Sequence, residues 1–97
     1  MLQIAKDFAE ALNDKFAEDG CSFTVEPGRR YAKIVYADRW GSRSVHAFVE
    51  IATGALLKAE GWKVPAKGVR FDLSTAAGFE RAVNAADRFG GYLYLRH

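Results

Sequence analysis

A chain of 97 residues that is 49% hydrophobic and 27% charged bounds a single globular domain and excludes a disordered one. Cys21 is the lone cysteine, which excludes an intramolecular disulfide and a thiolate zinc cluster within one chain. The net charge of +2 is unevenly spread: residues 1–28 carry two cations and six anions, residues 29–71 nine and three, and residues 72–97 three and three.

Residues 2–18 read as an amphipathic helix, because Ile4, Phe8, Ala11, Leu12 and Phe16 recur three and four apart. Asp7, Glu10, Asp14 and Glu18 fall off that stripe, and Gly20 suits the stop. The first residues lack the basic start and apolar stretch of a signal peptide, and no apolar run approaches the roughly 20 residues of a membrane span. The expected location is therefore the cytoplasm, with no membrane partner.

Three strand-like runs follow. Cys21-Ser-Phe23-Thr-Val25-Glu26 alternates with period two, and Pro27-Gly28 supplies a turn. Tyr31-Ala-Lys-Ile34-Val-Tyr36-Ala37 is rich in β-branched and aromatic residues, and Asp38-Arg-Trp40-Gly41-Ser42 is a loop. Ser44-Val45-His46-Ala47-Phe48-Val49-Glu50-Ile51 is the clearest strand. Thr53-Gly54 turns into a short fourth strand, Ala55 to Lys58. Connections this short imply an antiparallel meander. Residues 59–73 read as irregular, with Gly61, Pro65 and Gly68 opposing regular structure. A second helix is expected from about Thr75 to Phe89, capped by Ser74 and stopped by Gly90-Gly91, with Tyr92-Leu-Tyr94-Leu95 as a terminal strand or packed tail.

The order is α-β-β-β-β-α, an α+β fold with both helices on one face of the sheet and the other face open. Strand alternation puts Val45, Ala47, Val49 and Ile51 toward the helices. It leaves Tyr31, Lys33, Val35, His46 and Phe48 on the open face, where aromatics beside cations suit either stacking on unpaired bases or a protein interface. Ala47-Phe48-Val49 coincides with part of the longer signature of RNA-recognition-motif sheets, without its glycine, its leading cation or its element order. The α-β-β-β-α order is similar to that of double-stranded-RNA-binding domains. Here, however, the second helix opens Ser74-Thr75-Ala76-Ala77, without the lysines of that domain.

The densest chemistry lies in Lys58-Ala-Glu-Gly-Trp62-Lys-Val-Pro65-Ala-Lys67-Gly-Val-Arg70-Phe71. Several cations on one loop can follow a phosphate backbone, and Trp62 can stack on a base or pin the loop to the core. Over about residues 50–73 this stretch resembles a motif of small proteins encoded by tailed bacteriophages, Gly-Trp-Lys-x-Pro-Ala-Lys followed by an arginine. Their usual Arg-Gly-Asn is replaced here by Arg70-Phe71-Asp72. The resemblance implies a phage origin, hence the host cytoplasm, and carries no activity with it.

Catalysis has little support. The two histidines, His46 and His97, form no His-x-His or His-Glu-x-x-His spacing, and no glycine-rich loop opens a helix with a lysine. Cys21 and His46 could meet as nucleophile and base, but nothing supplies the third, orienting group. The expectation is a non-enzymatic binding module with no metal and no cofactor. Lys58, Lys63, Lys67 and Arg70 would contact phosphates, Arg29, Arg30, Arg39 and Arg43 would be secondary cations, and Trp62 and Phe48 would stack. The alternative is a protein-interaction or self-associating module, a homodimer or an inhibitor of a host protein, built on the open-face residues Tyr31, Lys33, His46 and Phe48.

Overall fold

A computed structural model describes residues 1–88 and 90–94. Helix α1 (Leu2–Lys15) is followed by a 3₁₀ turn, Ala17–Asp19, and by Gly20 in the left-handed conformation. Strands β1 (Ser22–Pro27), β2 (Tyr31–Ala37), β3 (Arg43–Glu50), β4 (Ala55–Lys58) and β5 (Phe71–Asp72) form one antiparallel sheet in the order β1-β2-β3-β4-β5. Helix α2 (Ala76–Ala85) and a last 3₁₀ turn, Gly91–Leu93, complete the described chain.

The α+β meander with its helices against one sheet face is as the sequence predicts. Phe8 and Leu12 of α1, Ile34, Val49 and Leu56 of the sheet, and Ala82 and Ala86 beyond it form one core. Phe8 meets Phe79 of α2 edge to face, centroids 5.8 Å apart. Lys15, the last residue of α1, joins the two helices by its side chain. Its ammonium donates to the carbonyls of Val83, Asn84 and Ala86 at 2.7, 3.0 and 2.8 Å, satisfying the open C-terminal end of α2.

Three local expectations are corrected, and one that left two alternatives is decided. Thr75, rather than Ser74, caps α2, its hydroxyl accepting from the Gly78 N–H. Ser74 instead donates to the Asp72 carboxylate, which holds that carboxyl below its ordinary pKa. α2 ends at Ala85, since the chain turns extended at Ala86; Phe89, at the end of the predicted helix, lies outside the described residues, as does Leu95 of the predicted terminal strand. Residues 91–93 form a 3₁₀ turn whose Leu93 is fully buried in the core, so the tail packs rather than pairs. The stretch read as irregular contributes β5.

The exposed edge of β1 is guarded. The Asn13 side chain donates to the Phe23 carbonyl at 2.8 Å and accepts from the Phe23 N–H at 2.7 Å, the two bonds a further strand would make there. Pro27 removes a donor at the end of the same strand.

The largest departure from simple alternation is in β3. Ile34 pairs with Ala47 while the next residue, Val35, pairs with Val45, so His46 is an extra residue in the ladder. Such a bulge re-aims side chains. His46 turns to the helical side, edge-on to Phe23 with centroids 5.1 Å apart, and Val45 turns to the opposite side beside Phe48. The sequence expectation had these two residues exchanged, because strict period two cannot register an inserted residue.

Candidate nucleic-acid interface

Residues 59–70 form an ordered arm. Ala59 and Pro65 form a bridge, the N–H groups of Glu60 and Gly61 both bond to the Val64 carbonyl, and the Ala66 N–H bonds to the Lys58 carbonyl at 2.8 Å. The arm is thus a short, irregular continuation of the β4–β5 hairpin with Trp62 and Lys63 at its tip. Pro65, which has no N–H, sits in a pair whose bridging bonds are made by the neighbouring Val64 carbonyl and Ala66 N–H, so no donor is lost there.

Arg70 ties the arm down at its base. Its Nε donates to the Leu93 carbonyl at 2.7 Å, and Nη1 donates to the carbonyls of Lys67 and Gly68, both at 2.6 Å. One guanidinium therefore joins arm to tail, a geometry that the point charge of lysine cannot reproduce. Hydrogen bonds to charged groups contribute roughly 1.5–3 kcal/mol each, and Arg70 is half-buried. Arg70→Ala should lower stability by about 2 kcal/mol. In limited proteolysis it should turn the arm into the first cleavage site, and Arg70→Lys should restore little of either.

The arm folds across the sheet face opposite the helices, so that face is not open. Phe48 and Leu57 are buried beneath it. Phe48 consequently offers no ring for stacking, and neither it nor His46 can serve as an exposed sheet-face contact. The face that remains is built from the arm tip and strands β1–β3. Trp62 is 47% exposed, with the Lys33 ammonium 5.1 Å and the Arg43 guanidinium 5.8 Å from its ring centroid. Cations at these distances are attracted to an indole by roughly 0.5–1 kcal/mol in exposed settings. Arg43 is also paired with Glu26, and Arg30 with Glu50 at 3.4 Å. Beside them Arg29, Arg30, Lys33 and Lys63 line a cleft of about 310 Å³ that includes Tyr31. A second hollow of about 250 Å³ runs from Tyr31 to Lys67.

The structure divides the predicted cations. Arg29, Arg30, Lys33, Arg43, Lys63 and Lys67 lie on or around this face. Lys58 alternates to the other side, where its ammonium stands 4.5 Å over the Tyr94 ring. Arg39 reaches toward the helical layer and donates to the Asp19 carbonyl at 3.1 Å. Arg70 spends its donors on backbone carbonyls. Trp40, which sequence reasoning passed over, is 81% exposed at the tip of the β2–β3 hairpin. Asp38 builds that tip by accepting from the N–H groups of Trp40 and Ser42, both at 2.9 Å. The available signal was a tryptophan in a turn whose geometry needs only Asp38 and Gly41.

His46 and Cys21 do not meet as a catalytic pair. His46 is buried, with Nε2 2.7 Å from the Tyr92 hydroxyl and Nδ1 3.3 Å from the Arg88 carbonyl. Burial lowers its pKa to about 4, against smaller opposing contributions from the Arg88 carbonyl and the Asp87 charge. The Tyr92 hydroxyl is driven upward, first by burial and then by Asp87. The Cys21 thiol points to the Phe16 carbonyl. Among the described residues no three His, Cys, Asp or Glu side chains gather as metal ligands, and no helix is long and apolar enough to cross a membrane.

No curated protein and no solved structure is significantly similar to the chain. A family match spans residues 2–95, from the first helix through the packed tail, and so takes in the whole sheet and the arm described above. The chain belongs to DUF7717, a family of unknown function.

Proposed function

We propose that the arm face binds an unpaired nucleic-acid strand and that the protein is a non-enzymatic accessory module. The observation that carries this reading is Trp62, a half-exposed indole at the tip of a pinned arm with Lys33 and Arg43 against its ring. A base entering the site takes the place of one cation on the ring, and the displaced side chain is then within reach of the adjoining phosphate. Arg29, Arg30 and Lys63 continue the positive surface along the neighbouring cleft. Stacking is indifferent to sequence, because every base has a π-face. The resemblance of the arm to tailed-phage proteins supports a phage origin and so a place in the host cytoplasm.

Fluorescence anisotropy with labelled single-stranded DNA and RNA oligomers tests the reading. Affinity should fall steeply as salt rises. Trp62→Ala should weaken binding by about 1–3 kcal/mol. Lys33→Ala or Lys63→Ala should each lower the salt slope by about 1 while weakening all sequences alike. Lys58→Ala, on the other side of the sheet, should change neither. Binding that is absent at low salt, or equally strong without Trp62 and Lys33, rules the reading out.

A further inference from the structure

The helical side of the molecule carries a feature that nucleic-acid binding does not use. Between α1 and the start of α2 runs a groove of about 580 Å³. Ile4, Ala11 and Phe79 form its apolar lining, and Asp7, Glu10 and Asp14 stand along it. These three acids follow one another at intervals of three and four, so they form one ridge about 10 Å long on α1. Among the described residues none of the three forms an ion pair, whereas Glu26, Glu50 and Asp19 are each matched with an arginine. Asp7 accepts from the Gln3 amide at 2.9 Å, but among the described residues the ridge has no cationic partner, and it borders an apolar hollow rather than plain solvent.

The complementary pattern is present on the same chain. The arm exposes Val64 beside Lys63 and Val69 two residues beyond Lys67, and neither lysine has an ionic partner among the described residues. The sheet separates the arm from the groove, so one copy cannot bring the two together. We infer that the α1–α2 groove receives the arm of a second copy of this chain. The arm's valines would enter the apolar lining, and Lys63 and Lys67 would face the acidic ridge. The contact joins two different surfaces, so it is heterologous. Each added copy presents a fresh groove and a fresh arm, and assembly is open-ended. Because Lys63 belongs to both surfaces, a strand bound on the arm competes with self-assembly.

Sedimentation of the full chain at about 25 mM salt, where screening is weak, tests this. The average mass should rise above the 10.7 kDa of one chain as concentration increases, and return to it at about 0.5 M salt. Glu10→Lys with Asp14→Lys, and separately Lys63→Glu with Lys67→Glu, should each leave a monomer. An equimolar mixture of the two should assemble again, because the reversed groove fits the reversed arm and the native groove of one variant fits the native arm of the other, so the two alternate along the assembly. Circular dichroism melts establish that each variant folds, and the milder Glu10→Gln with Asp14→Asn replaces any that does not. The groove variants leave every residue of the nucleic-acid face intact, so they should bind the oligonucleotide at least as tightly as the wild type, and more tightly at concentrations where the wild type assembles. A wild-type chain that stays monomeric at low salt, or oligomers that survive the groove substitutions, overturns the inference.

Discussion

Gly78→Ala is expected to destabilise the domain by about 2–3 kcal/mol, although alanine is the better helix former by roughly 1 kcal/mol. The reversal of sign comes from packing. Gly78 is buried in the first turn of α2, directly against the chain that leaves β5. A methyl group there would penetrate the Asp72 carbonyl oxygen and lie 2.8 Å from the Thr75 hydroxyl that caps the helix. Neither neighbour is the free end of a flexible side chain, so α2 must move away from the sheet or lose its cap. For a domain of this size the loss corresponds to a melting point lower by roughly 10–20 °C. Gly61→Ala is the matched control, because nothing lies within 4 Å of the added methyl. Its melting point should stay within about 3 °C of the wild type. Equal effects at the two positions would show that the close approach of α2 to Asp72 is not what the glycine permits.

The second large effect is pH-dependent and belongs to His46. Above pH 6.5 the imidazole is neutral in both the folded and the unfolded chain and contributes no pH dependence. Between pH 6.5 and about 4 the unfolded chain binds a proton that the buried ring refuses, so the unfolded state gains. Stability should therefore fall by about 3 kcal/mol across that window, at about 1.4 kcal/mol per pH unit. Below pH 4 the folded ring is protonated as well, and this contribution stops growing. The groups facing the ring are the Tyr92 hydroxyl and the Arg88 carbonyl, with the Asp87 charge nearby and Phe23 against its edge. Urea unfolding of wild type and His46→Gln at each pH isolates the effect, since carboxylates titrate in both proteins. The difference between the two stability curves should close as pH falls from 6.5 to 4. A constant difference would place the ring in a solvated environment instead. The first region to loosen in acid should be the 91–93 turn, which His46 holds through Tyr92.

Much of this fold is legible in the sequence, for identifiable reasons. Two amphipathic periods of 3.6 mark the helices, although α2 ends at Ala85, short of the Gly90-Gly91 stop, and short turns at Pro27-Gly28 and Thr53-Gly54 force an antiparallel meander. What escapes is whatever depends on a single inserted residue or on long-range bonding. The bulge at His46 exchanges two side chains between faces and leaves no local trace, because Val45 and His46 are individually at home in any strand. Residues 59–70 look irregular because their order comes from a single bridge and from Arg70 reaching the tail. No period expresses either. The candidate site was half legible. The basic character of residues 29–71 and the importance of Trp62 are plain from composition. The separation of Lys58, Arg39 and Arg70 from the remaining cations follows only from strand alternation and carbonyl acceptors in three dimensions.

In the proposed function, Trp62, Lys33, Arg43 and Lys63 form one strand-binding surface on the arm face. An amide and indole NMR titration of the ¹⁵N-labelled chain with a short single-stranded oligonucleotide at low salt tests it most directly. The predicted result is a saturable shift of the Trp62 indole signal together with the amides of residues 29–33, 43–45 and 61–67, while those around Lys58 and Tyr94 stay in place. Spectra that do not change on adding the oligonucleotide, or shifts concentrated on the helical side, would contradict it.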